Sequence, residues 1–380
     1  MRFQLLDILP HFVNPVTGRE VSTDERLHQA LTSARYAEQF GLDAVAIGER
    51  HAGHVISSGV TVLLGAIAAT TTRVRIQSGV TVLSILDPLR VAEDYATVDQ
   101  LSRGRVELVI GKGNELKQLP MFGIEAGTQW AALEEKYELL RRLWREREVT
   151  WSGTVRPPLT EVTAQPRPYA GAPRVWHGSA TTTTSASLAA RWGDPLFSAN
   201  AIQPRDNYTV LIDRYRREYV EHGHDPRFSY VGAGAGFLYV ADTTQEAREA
   251  FGPTYERIVE FFNQPGNHTP GNEFTFGSIE DAIERGPVLV GSPAQVAEKI
   301  LWFHDAYGHD LQSFSLPTVL PHEQQLHMLE RVAAEVIPVV RSAAPTTLWG
   351  DQDPYGARPA AYGRAVPDAA AEVEKAAAPR

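Results

Sequence analysis

The sequence predicts an α/β protein built as a closed (β/α)8 TIM barrel, and three observations carry the prediction. Strand-like and helix-like segments alternate from residue 2 to about residue 342. The helical segments are long enough to be crossovers, which makes the strands parallel and covers the sheet on both faces. Eight such units fit into the span, the number at which parallel strands close on themselves. An insertion precedes the last strand, and a Pro- and Ala-rich tail follows. The domains predicted are therefore a barrel over 1–342 and a disordered tail over 343–380.

The elements follow in order. "RFQLLDIL" (2 to 9) reads as the first strand, and "DERLHQALTSARYAEQFG" as its helix, with Leu27, Leu31, Ala34 and Ala37 near helical spacing and Gly41 as the stop. "DAVAIG" (43 to 48) is the second strand; after the loop "ERHAGHVI", Ser57 or Ser58 is expected to cap an apolar helix running through Thr70. "RVRIQSGVTVL" (73 to 83) is the third strand. Its helix carries the fullest set of signals, with Asp87 as N-cap, Pro88 at N1 and Gly104 at the end.

The fourth strand ends in "VELVIGKGN" (106 to 114), and a helix from about Trp130 to Arg147 follows. "PRVWHG" and "DPLFSAN" are strands five and six, with "TTSASLAARWG" between them and a helix from about Asp206 to His222 after them. "FSYVGAGAGFLYVAD" reads as a single seventh strand, because "FLYVAD" continues the strand pattern rather than opening a nucleotide-binding helix. A helix over 244–263 leads into "NQPGNHTPGNEF", a surface insertion. "PVLVGSPAQVAEKILWFHDAYG" gives a short strand and a capped helix, and "LQSFSLPTVL" with a helix over 322–341 closes the pattern.

Composition bounds the function. Of 380 residues, 43% are hydrophobic and 22% charged; 36 basic against 46 acidic side chains give −10, which argues against binding nucleic acid through phosphate neutralisation. Cysteine is absent, which removes disulfides, thiolate metal sites and cysteine nucleophiles and points to a cytoplasmic setting. No run reaches about eighteen apolar residues, so no membrane partner is expected. His51 and His54 lie in a loop without the further ligands zinc needs, so no metal is expected.

Function in such a barrel gathers on the loops after the C-terminal strand ends. Gly111, Lys112 and Gly113 follow strand four, where glycines let backbone approach an anion and the ammonium supplies charge. Taken alone this is as well read as a tight turn with a solvated lysine. Gly178, Ser179 and a threonine run follow strand five at a helix start, where amides and hydroxyls could converge on a phosphate or merely cap the helix. Adjacent anion-friendly loops favour one phosphate-bearing ligand. Glu107, inside strand four, is expected to pair with a basic residue in the barrel rather than to act in catalysis.

The block "TRVRIQSGVTVLSILDPLRVAEDYATVDQLSRGRVELVIGKG" (72 to 113), with "IGERHAGH", "PRVWHGSA", "RWGDPLFSAN" and "VGSPAQVAEKI", resembles the bacterial-luciferase-like flavin-dependent oxidoreductases over about residues 1 to 342. The resemblance implies a barrel, usually dimeric, with reduced FMN or the deazaflavin F420 at its C-terminal face. It implies flavin-phosphate contacts from Lys112, Ser179, Ala180 and Thr181, and a non-prolyl cis peptide behind the flavin ring at Ser78 and Gly79. Many members carry Glu-His-His after strand two, whereas this chain has Glu49-Arg50-His51. A guanidinium cannot shuttle protons near neutral pH, so His51 becomes the proton-handling candidate, with His54 and His11 behind it, and Arg50 a stabiliser of an anion.

The function expected is a monooxygenase using O2 and reduced FMN from a separate flavin reductase to oxygenate a small organic substrate, acting as a homodimer. Two alternatives are an F420-dependent hydride-transfer oxidoreductase and a non-catalytic flavin-binding partner subunit.

Overall fold

The computed structural model describes residues 1–51, 53–180, 182–200, 203–234, 236–264 and 273–356. Four βα units come first: β1 (Arg2–Asp7) and α1 (Thr23–Gln39), β2 (Ala44–Ile47) and α2 (Val60–Thr70), β3 (Arg75–Thr81) and α3 (Pro88–Ser102), β4 (Val106–Ile110) and α4 (Gln129–Arg145). An antiparallel hairpin follows, β5 (Val149–Trp151) and β6 (Leu159–Val162). Then come β7 (Arg174–Ser179), α5 (Thr183–Trp192), β8 (Leu196–Ser198), α6 (Arg205–Glu221) and β9 (Val231–Ala233). Between β9 and the last barrel strand lie β10 (Leu238–Val240), α7 (Thr244–Asn263), α8 (Ile279–Glu284), β11 (Leu289–Gly291) and α9 (Pro293–Tyr307). β12 (Leu311–Phe314), α10 (His322–Arg331), a π-helical turn over Val332–Val336 and α11 (Ile337–Ala343) complete the order.

Strands β1, β2, β3, β4, β7, β8, β9 and β12 form the closed parallel barrel predicted from the sequence, with β12 returning to β1. Alternate residues face the helices and the lumen, as strand geometry requires. Strand residues such as Leu196 meet helix residues such as Leu64, Ile67 and Leu140 in the barrel-to-helix core, while Val109, Trp176, Phe197 and Leu311 fill the lumen. Each fully buried aliphatic side chain of this kind contributes about 1.5–3 kcal/mol.

Local signals worked where they were strongest. Asp87 accepts hydrogen bonds from Leu89 N (2.8 Å) and Arg90 N (3.3 Å), Pro88 opens α3, and Gly104 follows with φ +86°. The cap expected at Ser57 or Ser58 is instead Gly59, which makes no side-chain cap. The single seventh strand is in fact two. β9 stays in the barrel, whereas β10 leaves it to pair with β11 outside, Gly232 having Phe197 where a Cβ would stand. The insertion "NQPGNHTPGNEF" falls largely outside the described residues, as do 357–380.

Residues 344–356 correct the expected tail, because they pack across the N-terminal end of the barrel. Ala344, Leu348 and Asp353 are buried. Asp353 pairs with Arg174, and Leu348 O accepts from Arg2 Nε at 2.9 Å. Trp349 Nε1 donates to Glu107 at 2.7 Å, joining Trp176 Nε1 (2.8 Å) and Gln77 Nε2 (2.9 Å) on the same carboxylate, with Arg75 at 3.5 Å. Glu107 thus has the basic neighbour expected of it and far more: a buried anion must be met by donors on both oxygens.

Candidate active site

The C-terminal ends of β2, β3, β4 and β7 are adjacent, so the loops that follow them share one mouth. After β2, Glu49 is buried and makes two bonds: Oε1 meets His51 Nε2 at 2.7 Å, and Oε2 accepts from Val82 N at 3.1 Å. The carboxylate therefore ties the β2 loop to the end of β3 and holds the imidazole by one nitrogen. Phe122, from the β4 loop, stands edge-on to that ring at 4.6 Å. Arg50 reaches the other way, donating from Nη2 to Asn114 Oδ1 at 3.3 Å. Burial lowers its pKa and nearby Glu115 opposes the shift, yet a guanidinium remains a cation.

Behind this loop, β3 ends in a hydroxyl chain. Thr81 Oγ1 donates to Ser78 Oγ at 2.8 Å and is bonded to the Tyr95 hydroxyl, and Ser78 Oγ meets Val109 N at 3.2 Å. Burial pushes the Tyr95 phenol's pKa up, so it stays a neutral donor. The Gly79–Val80 peptide is cis, one bond beyond the Ser78 and Gly79 pair that the sequence resemblance indicated. A Cβ on Gly79 would fall 2.8 Å from Leu6 Cδ1, so a larger residue there would have to push the Leu6 side chain aside.

Gly111, Lys112 and Gly113 follow β4. Gly113 has φ +73°, and a Cβ on it would fall 2.6 Å from Val82 Cγ1, which fixes glycine on two counts. Lys112 is half-buried; its Nζ donates to Gly113 O at 3.2 Å and lies 5.9 Å from the centre of the Trp130 ring. Burial lowers the pKa of this ammonium; no carboxylate forms an ion pair with it among the described residues.

β4 and β7 pair with Ile110 opposite His177, so Lys112 and Ser179 lie on neighbouring loops, each two residues beyond that pair. Gly178 is required by closeness, since a Cβ there would fall 2.8 Å from Val80 Cγ1. Ser179 Oγ donates to Thr182 O at 2.9 Å, which spends the hydroxyl within its own loop. Ala180 is exposed, and Thr181 lies outside the described residues. Thr182, the N-cap of α5, makes no side-chain bond to the helix, so the first amides of α5 keep their capacity for an anion.

Other sequence candidates lie apart from this group. His11 Nε2 is bound to Val21 O at 2.9 Å in its own loop. His54 packs against Phe12 and Phe261 at 6.4 and 5.8 Å. Sequence reasoning assigned no role to Glu49 or Trp130. Glu49 was within reach, being a carboxylate two residues before His51 at a strand end, but Trp130 meets Lys112 only through the fold.

Comparison with known proteins agrees with this architecture. The sequence profile described as luciferase-like monooxygenase matches residues 1–310. Limonene 1,2-monooxygenase of Rhodococcus erythropolis is 24% identical over 348 residues, covering 86% of this chain and 85% of the relative. An F420-dependent glucose-6-phosphate dehydrogenase of Beutenbergia cavernae is 26% identical over 326 residues, covering 80% and 91%. Among solved structures, one similar fold is the oxygenating constituent of 3,6-diketocamphane monooxygenase from Pseudomonas putida, in complex with FMN. It has a TM-score of 0.74 at 20% identity and covers 89% of this chain and 98% of that one.

Proposed function

The chain belongs to the luciferase-like monooxygenase family, and from that premise we infer that it is an FMN-dependent monooxygenase acting on a small organic substrate at the barrel mouth. The observation that carries the inference is the pairing of a half-buried Lys112 with the uncapped start of α5 on neighbouring loops. A cation and free helix amides suit the phosphate of a flavin mononucleotide. Gly111, Gly113, Gly178, Ser179, Ala180 and Thr181 would bring backbone and hydroxyl groups to the same phosphate, and Ser78 and Gly79 would back the ring. Reduced flavin, when bound, supplies the electrons with which O2 is activated.

The residues of the chain do the remainder. Glu49 occupies His51 Nε2 and so turns Nδ1 toward ligand as the proton-handling atom. Arg50, fixed by Asn114, stabilises negative charge. Phe122 beside His51 keeps water from the reacting centre. The reduced cofactor comes from a separate flavin reductase, and the enzyme works as a homodimer in the cytoplasm.

A second reading has one specific support, the F420-dependent dehydrogenase among the relatives; there the same mouth would hold F420 for hydride transfer. Titration of the protein with oxidised FMN, reduced FMN and F420, together with oxygen uptake, separates the two. Tight FMN binding with substrate-dependent oxygen uptake is expected; F420 bleaching under anaerobic turnover would replace this reading with the second. Lys112→Ala is expected to weaken FMN binding by at least about tenfold, the scale of one charge-assisted hydrogen bond. Unchanged FMN affinity would remove Lys112 from the phosphate site.

A further inference from the structure

Two buried hydrogen bonds meet on the short connection between β3 and α3. Ser84 is fully buried there, and its hydroxyl donates to Lys112 O at 2.7 Å. Lys136 of α4 is also buried, and its Nζ donates to Ser84 O at 2.7 Å. Burial lowers the pKa of this ammonium, and the charges of Asp87 and Glu135 oppose the shift, but no carboxylate forms an ion pair with it among the described residues. A buried charge without a close counter-ion is costly, so its place on the Ser84 carbonyl calls for a role.

The Lys112 carbonyl shares its peptide unit with the Gly113 amide. That unit is trans, since the cis bonds of the described residues lie at 79–80 and 165–166, so its carbonyl and N–H point in opposite directions. By holding the carbonyl, Ser84 turns the Gly113 N–H away from itself. Ser84 is buried whereas Gly113 is half-buried and follows the C-terminal end of β4, so this direction leads out toward the mouth. The Gly113 N–H has no hydrogen-bond partner among the described residues. Val82, two residues before Ser84, packs against Gly113, its Cγ1 2.6 Å from where a Cβ would stand, and gives its own N–H to Glu49. One short connection thus braces the Lys112 loop and the Glu49–His51 pair together.

We propose that Ser84 and Lys136 are positioning residues for the phosphate of a flavin mononucleotide. Lys136 locks the Ser84 carbonyl, Ser84 locks the Lys112–Gly113 peptide, and the Gly113 N–H is thereby held as a preset donor to the anion. The proposal rests on reading the Lys112 loop as the phosphate site. Neither residue touches the ligand; each acts by removing, before binding, the choice of peptide orientations that binding would otherwise have to restrict. Restraint counts for most at glycine, whose backbone has the most freedom to lose.

The test titrates FMN and riboflavin, which differ only in the phosphate, into the parent, Ser84→Ala, Lys136→Met and Lys136→Arg. Thermal unfolding of each ligand-free protein is recorded alongside. The parent is expected to bind FMN more tightly than riboflavin. Ser84→Ala should lose about tenfold in FMN affinity, about 1.4 kcal/mol, while its riboflavin affinity stays within about twofold. Lys136→Met should lose about threefold for FMN alone, and Lys136→Arg, which keeps a charged donor, should recover most of that loss. Should Lys136→Met fold poorly, Lys136→Gln takes its place.

A preference for FMN over riboflavin left at the parent value by Ser84→Ala or by the neutral Lys136 variant overturns the proposal and leaves the functional reading intact. Equal loss for the two flavins overturns it as well, because the effect would then be one of packing. A parent that binds FMN no better than riboflavin, or binds neither, overturns the proposal and the phosphate reading together.

Discussion

His309 is fully buried, with Nε2 bound to Gln312 Oε1 at 3.0 Å, and burial drives its pKa down to about 3. In the unfolded chain a histidine titrates near about 6.5. Between those values the unfolded state takes up a proton that the folded state refuses, so stability falls as pH drops through the window, by at most about 1.4 kcal/mol per pH unit. His309→Gln is expected to flatten the dependence by that one-proton slope between pH 6.5 and 4, read from urea midpoints; an unchanged slope would mean that His309 protonates in the fold. Glu49 supports a second prediction at this scale. Glu49→Gln keeps the shape but removes the charge that holds His51, so kcat should fall about 100-fold, within the range of general acid–base effects. FMN affinity should stay within about twofold, since Glu49 touches neither phosphate loop; a loss of FMN affinity with kcat intact would count against the assignment.

The segment 344–356 shows an element acting without secondary structure. Trp349→Phe deletes one of the donors that meet the buried Glu107 carboxylate. Leaving such a group short costs about 1–3 kcal/mol, which denaturant unfolding would register, whereas flavin binding at the opposite mouth should not change. Equal stability would show that this contact is dispensable. This segment was not legible in the sequence for a physical reason: packing there depends on isolated anchors such as Leu348, Trp349 and Asp353, and a segment with no regular backbone has no hydrophobic period to read. The hairpin β5–β6 was missed likewise, being only three and four residues long. By contrast α3 was readable because Asp87, Pro88 and Gly104 are covalently local signals. The site divides in the same way. Strand ends and their glycines announce the loops, but the bond from Glu49 to Val82 and the meeting of Lys112 with Trp130 join residues 33 and 18 positions apart, and only tertiary structure creates them.

The whole molecule carries a net charge of −10 and no helix long and apolar enough to cross a membrane among the described residues. Val62 on α2 is 76% exposed, and this large apolar side chain is our candidate for the interface of the proposed homodimer. Light scattering should return twice the chain mass for the parent and the single-chain mass for Val62→Glu, and added salt should favour the larger species by screening like charges. A parent at single-chain mass would end the dimer. Trp349 and Trp130 stand at opposite ends of the barrel, one against Glu107 and the other near Lys112. That separation gives two of the chain's seven tryptophans different duties. Emission lost on Trp349→Phe reports the seal beneath the lumen, emission lost on Trp130→Phe reports arrivals at the top, and a stopped-flow trace of each can order the two events in time without any attached dye.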